Sequence, residues 1–456
     1  MKCKKKYISV LLGTMLAATA AAELIPGDVF GYPGTVSADP EEGPASYAAM
    51  NMSDGQVYED YEAGTPVDAG SVADLLMVMT MLDRGLNPEG EQIFKEEALA
   101  RVKESDPVLV PAIKAGETFA MPDAVKVLLG GQATEFRYQF SEGYAPGMED
   151  ALFQMIREKE QSLSLTVTEL NSLDLTEENA CVSSAGEMLT IMINAVGNYP
   201  VLNEALKYPA DHSVISQEGE VRNWSGANIV ATQEDPIEGL EYAFVLRKGD
   251  EVIGQISIAT RNDIRIITSA TGVSGEEVHE VAEDLFDKAF LKAYEPGFEE
   301  NAGEKKNVTV KDGGELRSYP SASSEAAGVA DESTVLSYAG SYGGWNRLKT
   351  LSGTYVYTQS EVEASELELK DPRPVKNGEE ETESESETEA IEATEEEPTE
   401  APVVINPSGE FEEQENNRSA VLAARMARQK RQKLFTFVAV GAIILSLVGL
   451  FLLHRH

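Results

Sequence analysis

The chain has 456 residues, room for about three domains of ordinary size. Its 37 Lys and Arg stand against 78 Asp and Glu, and the resulting charge of −41 repels phosphate backbones and argues against a nucleic-acid partner. Apolar residues make up 42 %, sufficient for a buried core. Two cysteines, Cys3 and Cys181, and four histidines leave no CxxC site and little material for a His-rich metal centre, so no cofactor or metal is expected.

In chain order, Lys2, Lys4, Lys5 and Lys6 followed by the apolar run 7–22 read as a signal peptide within 1–38, cleaved after Ala22 or Ala38. Alternation over 45–62 around Ser53-Asp54-Gly55 predicts a hairpin with an Asp-Gly turn. Ser71 opens a helix with Val72, Leu75, Leu76, Met79 and Leu82 on one face. Further helical stretches fall at 122–129, 150–163 and 186–206. Beyond Trp224 the texture turns β-rich, with strands at 241–246, 251–260 and 264–269, an Arg247-Lys248-Gly249-Asp250 turn between the first two, and a closing helix over 275–293. This order predicts an α+β domain with an antiparallel sheet over 44–294.

Over 307–362, short β-like runs separated by Gly- and Ser-rich turns predict a small all-β barrel. The segment 364–417 reads as a disordered acidic stalk, since 379–400 holds 12 Glu in 22 residues and cannot bury enough apolar surface to fold. A basic juxtamembrane segment at 418–433 precedes 434–453, which has 20 residues without a charge and reads as a transmembrane helix. Arg418, Arg425, Arg428, Lys430, Arg431 and Lys433 would alone put that side in the cytoplasm. The signal peptide puts it outside and takes precedence, because long domains translocate largely regardless of charge.

The strings Ser53-Asp54-Gly55-Gln56-Val57-Tyr58, Ala185-Gly186-Glu187-Met188-Leu189 and Asn198-Tyr199-Pro200 resemble the N-terminal domain of serine-type D-Ala-D-Ala carboxypeptidases, the low-molecular-weight penicillin-binding proteins. The resemblance implies a penicillin-binding-protein/β-lactamase-like domain with motifs Ser-x-x-Lys, Ser-x-Asn and Lys-Thr-Gly. All three are degenerate here. Ser71 stands in the nucleophile's place, but Asp74 replaces the lysine. An exposed carboxylate with a pKa near 4 is far too weak a base for a serine hydroxyl. Ser71-x-x-Asp74 also reads as a capping box. Gln132 and Thr134 occupy the second motif, in what otherwise reads as a helix-ending glycine turn. Glu241, Tyr242 and Ala243 occupy the third, with Arg247-Lys248-Gly249 as a shifted candidate that reads better as a hairpin turn. His212 and His279 are the histidines that a Ser–His pair would need, and nothing in the sequence places either beside Ser71.

The strings Val308-Thr309-Val310, Glu315-Leu316-Arg317, Pro320-Ser321-Ala322-Ser323-Ser324, Gly343-Gly344-Trp345 and Gly353-Thr354-Tyr355-Val356 resemble bacterial SH3-like (SH3b) domains. That resemblance implies binding of cell-wall peptides or partner proteins. Tyr338, Tyr342, Trp345 and Tyr355 either line a ligand groove or fill the small core. The expected function is that of a membrane-anchored protein on the extracellular side of a bacterial cell membrane. It would be a non-catalytic carboxypeptidase homologue that recognises peptidoglycan or docks a cell-wall enzyme. The alternatives are an active D-Ala-D-Ala carboxypeptidase acting on stem peptides, and a structural surface scaffold.

Overall fold

A computed structural model describes residues 44–374 apart from 105, 210–212, 225–229, 233–234 and 305. Strands β1 (Ser46–Asn51) and β2 (Val57–Tyr61) form the opening hairpin. Gly55 takes the positive φ of +73° at its turn, and the Asp54 carboxylate accepts the Gln56 N–H at 2.9 Å. The two-residue β3 (Val67–Asp68) leads into α1 (Val72–Asp83), which is buried along nearly its whole length. A helical block follows: β4 (Glu91–Ile93), α2 (Glu96–Leu99), β5 (Thr118–Ala120), α3 (Met121–Lys126), a π-helical turn over Val127–Gly131, α4 (Thr134–Tyr144) and α5 (Glu149–Ser162). Then come β6 (Glu169–Leu170), β7 (Cys181–Ser183), α6 (Ala185–Asn198) and α7 (Pro200–Ala205). The single helix expected over 186–206 is thus two, because Pro200 lacks the N–H that would continue the ladder and starts a new helix instead.

After the hairpin β8 (Ser213–Ile215) and β9 (Val221–Asn223), three long strands close the sheet: β10 (Leu240–Lys248), β11 (Glu251–Arg261) and β12 (Ile264–Thr271). The antiparallel order is β10-β11-β12-β1-β2, which joins the N-terminal hairpin to the last strands across more than 200 residues of chain. Side chains alternate between two cores. Ala48, Met50, Phe244, Leu246, Ile256 and Ile267 face the helical block, whereas Ala49, Ala243, Val245, Ala259 and Ala270 face α8 (Val278–Glu300). The buried Arg261–Asp287 pair, at 2.8 Å, ties α8 to the sheet.

At ~35 Å for its 23 residues, α8 is long enough to serve two partners. Its second half carries an all-β unit of seven antiparallel strands: β13 (Asn307–Val310), β14 (Gly314–Arg317), β15 (Ala326–Ala330), β16 (Leu336–Tyr342), β17 (Trp345–Lys349), β18 (Tyr355–Thr358) and β19 (Val362–Ser365). Their order is β15-β14-β18-β17-β16-β13-β19 around a small aliphatic core of Val308, Val310, Leu316, Leu336, Leu348 and Val356. The ordered chain runs past the boundary expected at 364. β19 pairs with β13 through Ser365, and Lys370 and Arg373 bridge to Val335 and Val329. The expected segments 1–38, 418–433 and 434–453, and the stalk beyond 374, lie outside the described residues. Among the described residues no helix is long and apolar enough to cross a membrane.

Candidate functional site

Ser71 sits at the start of α1 with none of its surface exposed, directly against the outer edge of β10. Gly70 makes this approach possible. It has φ +46°, and a Cβ there would lie 2.0 Å from the Arg247 carbonyl oxygen. The contact is reciprocal. The Ser71 N–H donates to the Arg247 carbonyl at 3.0 Å, and the Arg247 N–H donates to Ser71 Oγ at 3.1 Å. Ser71 Oγ in turn donates to the Val245 carbonyl at 3.3 Å, which also accepts from Gln132 Nε2 at 2.5 Å. Gln132 reaches it from a left-handed position, φ +48°, at the end of the π-helical turn.

The capping box is not formed. Ser71 is helical in φ and ψ, and its side chain makes no capping bond. Its hydroxyl is drawn instead to β10, whose edge lies within reach because Gly70 has no side chain. Asp74 is likewise not a first-turn surface charge. It is fully buried, and its two oxygens accept from Arg137 Nε at 2.7 Å and Nη2 at 2.9 Å. Burial pushes the Asp74 carboxyl above its ordinary value, and the bidentate guanidinium opposes that shift. With both oxygens held by Arg137, Asp74 is not a base for Ser71. The Ser71 hydroxyl has backbone groups as its bonded partners, and no side-chain base lies within proton-transfer distance of it in these contacts.

An acyl transfer also needs backbone N–H donors aimed at the developing oxyanion. The N–H groups of Ser71 and Arg247 are the pair nearest the hydroxyl, and each is already bonded across the seam. The rest of the β10 edge is similarly occupied: the Tyr208 N–H donates to the Glu241 carbonyl at 2.8 Å, and the Ala243 N–H to the Leu206 carbonyl at 3.2 Å. Lys248 closes the end of the seam through an ion pair to Asp68 at 2.8 Å. What remains open is a cavity of ≈ 10 Å³ bordered by Asp106, Gln132, Thr134, Arg137 and Arg247, room for about one water.

Glu241, Tyr242 and Ala243 are not the β10 residues that contact Ser71. The strand segment against Ser71 is Val245–Arg247, so Glu241 lies ~13 Å up the strand at 3.3 Å per residue. Glu241 pairs there with Arg265 at 2.8 Å, whose guanidinium lies over the Tyr242 ring. Arg247 and Lys248 are the last paired residues of β10, opposite Val252 and Glu251, Gly249 lies in the turn, and Arg247 abuts Ser71 as well. Thr134 is buried as the first residue of α4, its N–H donating to the Pro107 carbonyl at 2.9 Å. His279 lies on α8, across the sheet from Ser71, with Nδ1 at 2.7 Å from the Val230 carbonyl. His212 is outside the described residues. Cys181 is fully buried, and burial pushes its thiol well up, away from reactivity.

Solved structures of similar shape include a DD-transpeptidase and a D-alanyl-D-alanine carboxypeptidase. The Streptomyces K15 DD-transpeptidase is 14 % identical, over 56 % of this chain and 99 % of its own, with a TM-score of 0.47. A D-alanyl-D-alanine carboxypeptidase from Mycobacterium tuberculosis is 16 % identical, over 57 % of this chain and 95 % of its own, with a TM-score of 0.45. No protein-family profile matches the chain, and no curated protein does.

In the all-β unit the four aromatic candidates separate. Trp345 is 4 % exposed and belongs to the core shared with α8. Tyr342 packs edge-on against Tyr294 and Phe298 of α8. Tyr338 is half-buried, with the Lys306 ammonium 5.0 Å from its ring. Tyr355 is 43 % exposed between Arg347 and Lys349. Among the described residues no group of three His, Cys, Asp or Glu is placed to hold a metal ion. Sequence reasoning missed Gly70, Arg137 and Val245. The available signals were a glycine directly before the motif serine and an arginine inside the run Phe136-Arg137-Tyr138.

Proposed function

We propose that this chain is a non-catalytic, membrane-anchored envelope protein whose carboxypeptidase-like domain serves recognition or docking rather than hydrolysis. One observation carries the reading: the Ser71 hydroxyl and N–H are both consumed by the backbone of β10, with Asp74 locked to Arg137 where a base would be needed. The link to peptidoglycan rests on the sequence strings shared with D-Ala-D-Ala carboxypeptidases. The all-β unit is read as the SH3-like module, with Tyr338 and Tyr355 as its ligand-facing aromatics. A charge of −41 opposes attachment to anionic wall polymers by bulk attraction, so any wall binding is local recognition.

Incubation of the full chain with a fluorescent penicillin tests the reading directly. The expected outcome is no covalent adduct. A stoichiometric adduct that disappears in Ser71→Ala would make the protein a working serine acyltransferase and end the proposal.

A further inference from the structure

Nine large apolar side chains are exposed among the described residues, and four of them share one face of a small sheet in the helical block. Ile215 of β8 and Val221 of β9 are register partners, 61 % and 50 % exposed. Val110 is 66 % exposed and pairs beside them, its N–H and carbonyl both bonded to Asn223 at 2.9 Å. Val108 is out and Leu109 in, with the Leu109 N–H donated to the buried Glu135 carboxylate at 2.7 Å, so the alternation of this segment is fixed. Ile93 of β4 adds a fifth exposed aliphatic on the neighbouring hairpin, which is joined to this sheet by the Gln217 N–H donating to the Thr118 carbonyl.

The sheet also has a short open edge at Ile215, bounded on one side by the Gln217 N–H bonded to Thr118. Asn223 spends its backbone groups on Val110, so in an antiparallel ladder Arg222 faces β8 through Val214, and Ile215 points its N–H and carbonyl off the outer side. Among the described residues neither group has a backbone partner. An unpaired edge beside an exposed aliphatic face is a template for a further strand. The rim is acidic: Glu91, Glu218 and Glu220 are exposed around it, Glu91 accepting from Gln217 Nε2 at 2.7 Å and Glu218 from the Thr118 N–H at 3.1 Å. Arg222, buried beneath, pairs with Glu117 at 2.8 Å and lies 3.7 Å from Glu220. Lys114, on the connection into β5, is the opposing charge.

We propose that β8 is a docking edge for an extended segment of a partner protein, apolar on one face and flanked by Lys or Arg. The segment adds as a strand beside Ile215, continues the aliphatic face, and places its cations against Glu91, Glu218 and Glu220. A second copy of this chain is disfavoured as the occupant because it brings the same acidic rim. The surface uses none of the atoms at Ser71, so it stands whether or not that serine reacts.

The probe is a fluorescent peptide, Lys-Lys-Val-Thr-Val-Thr-Val-Lys-Lys, titrated against the full chain. Saturable binding is expected. It should weaken at least about tenfold when Glu replaces the lysines, when Pro replaces the central Val, and in the Ile215→Lys and Val221→Lys variants of the chain. Both positions are exposed, and circular dichroism checks that the variants fold. Amide exchange at Ile215 should slow on peptide addition. Absence of saturable binding, equal binding of the proline peptide, or binding unchanged in the two variants would each overturn the proposal. Self-association of the chain that Ile215→Lys abolishes would overturn it in favour of a second copy.

Discussion

Where the helical block meets β10, Gly70, Ser71 and Gln132 close on the backbone of the strand. Where α8 meets the all-β unit, Tyr294 and Phe298 close on Tyr342 and Tyr357 through their rings, at centroid separations of 5.3 to 6.3 Å. Both seams use a glycine to bring backbone close. A Cβ at Gly70 would meet the Arg247 carbonyl oxygen, and one at Gly297 would lie 2.1 Å from the Tyr342 ring. They differ in what happens when one member is lost. The polar seam holds buried donors and an ion pair, each of which becomes costly without its partner. The aromatic seam holds apolar area that neighbouring side chains can partly re-cover. The residues that resemble a catalytic set therefore lie in the less forgiving seam.

The largest expected effect follows from the closest approach. Gly70→Ala places a methyl group inside the Arg247 carbonyl at a left-handed φ, and should destabilise the chain by more than about 5 kcal/mol or unfold it. Thermal denaturation measures this, and a loss within about 1 kcal/mol would show that the seam opens easily. Next is Arg137→Met, which strands the buried Asp74 carboxylate and should cost about 3–5 kcal/mol at neutral pH. Burial already holds that carboxyl above its ordinary value, and removing the guanidinium raises it further. The variant is therefore most stable below the ordinary carboxyl range and loses stability as pH rises through the shifted value. Adding Asp74→Leu to Arg137→Met should recover most of the loss, because a well-packed apolar pair replaces an ion pair at little net cost.

A smaller effect comes from Glu135, beside the same seam. Burial pushes its carboxyl up to about 7, against the backbone bond from Leu109 that favours the charged form. A folded-state value above the unfolded one adds stability below about pH 4.5 that is lost as pH rises through about 7. The swing should be about 3 kcal/mol. Denaturant titrations at several pH values should show it, reduced in Glu135→Gln. Glu160, also pushed up to about 7 by burial, adds a parallel slope that the Glu135 variant leaves in place.

The opening hairpin, α1, the three long strands and the closing helix were legible because each has a clean period and marked turns. Helix α4 was not. Arg137, Gln139 and Ser141 are buried in it, so its inward face does not read as apolar. The partner that makes Arg137 tolerable lies 63 residues away. The same long reach hid the surroundings of Ser71. A capping box at Ser71 is the sensible local reading, and it fails because the hydroxyl bonds a strand 174 residues on. Which residues of β10 meet Ser71 was hidden for a related reason: spacing along the strand does not say which carbonyl Gly70 admits. The aromatic set was visible as residue types, but its division between the α8 seam and the exposed Tyr355 depends on which strand edge faces the helix.

The smallest expected effect tests the aromatic seam. Tyr342 touches Tyr294 at 5.3 Å and Phe298 at 6.3 Å, both edge-on, and its ring covers the α8 backbone at Gly297. Tyr342→Leu keeps an apolar cover over Gly297 and removes the edge-on contacts, so it should cost about 1 kcal/mol. Trp345 and Tyr357 remain in the same shared core, and Glu238 still accepts the Ala322 N–H across the boundary at 2.7 Å. The variant should therefore melt in a single transition, slightly earlier than the parent. Two separated transitions would mean that the all-β unit depends on Tyr342 for its attachment, making the aromatic seam the more brittle of the two and reversing the comparison.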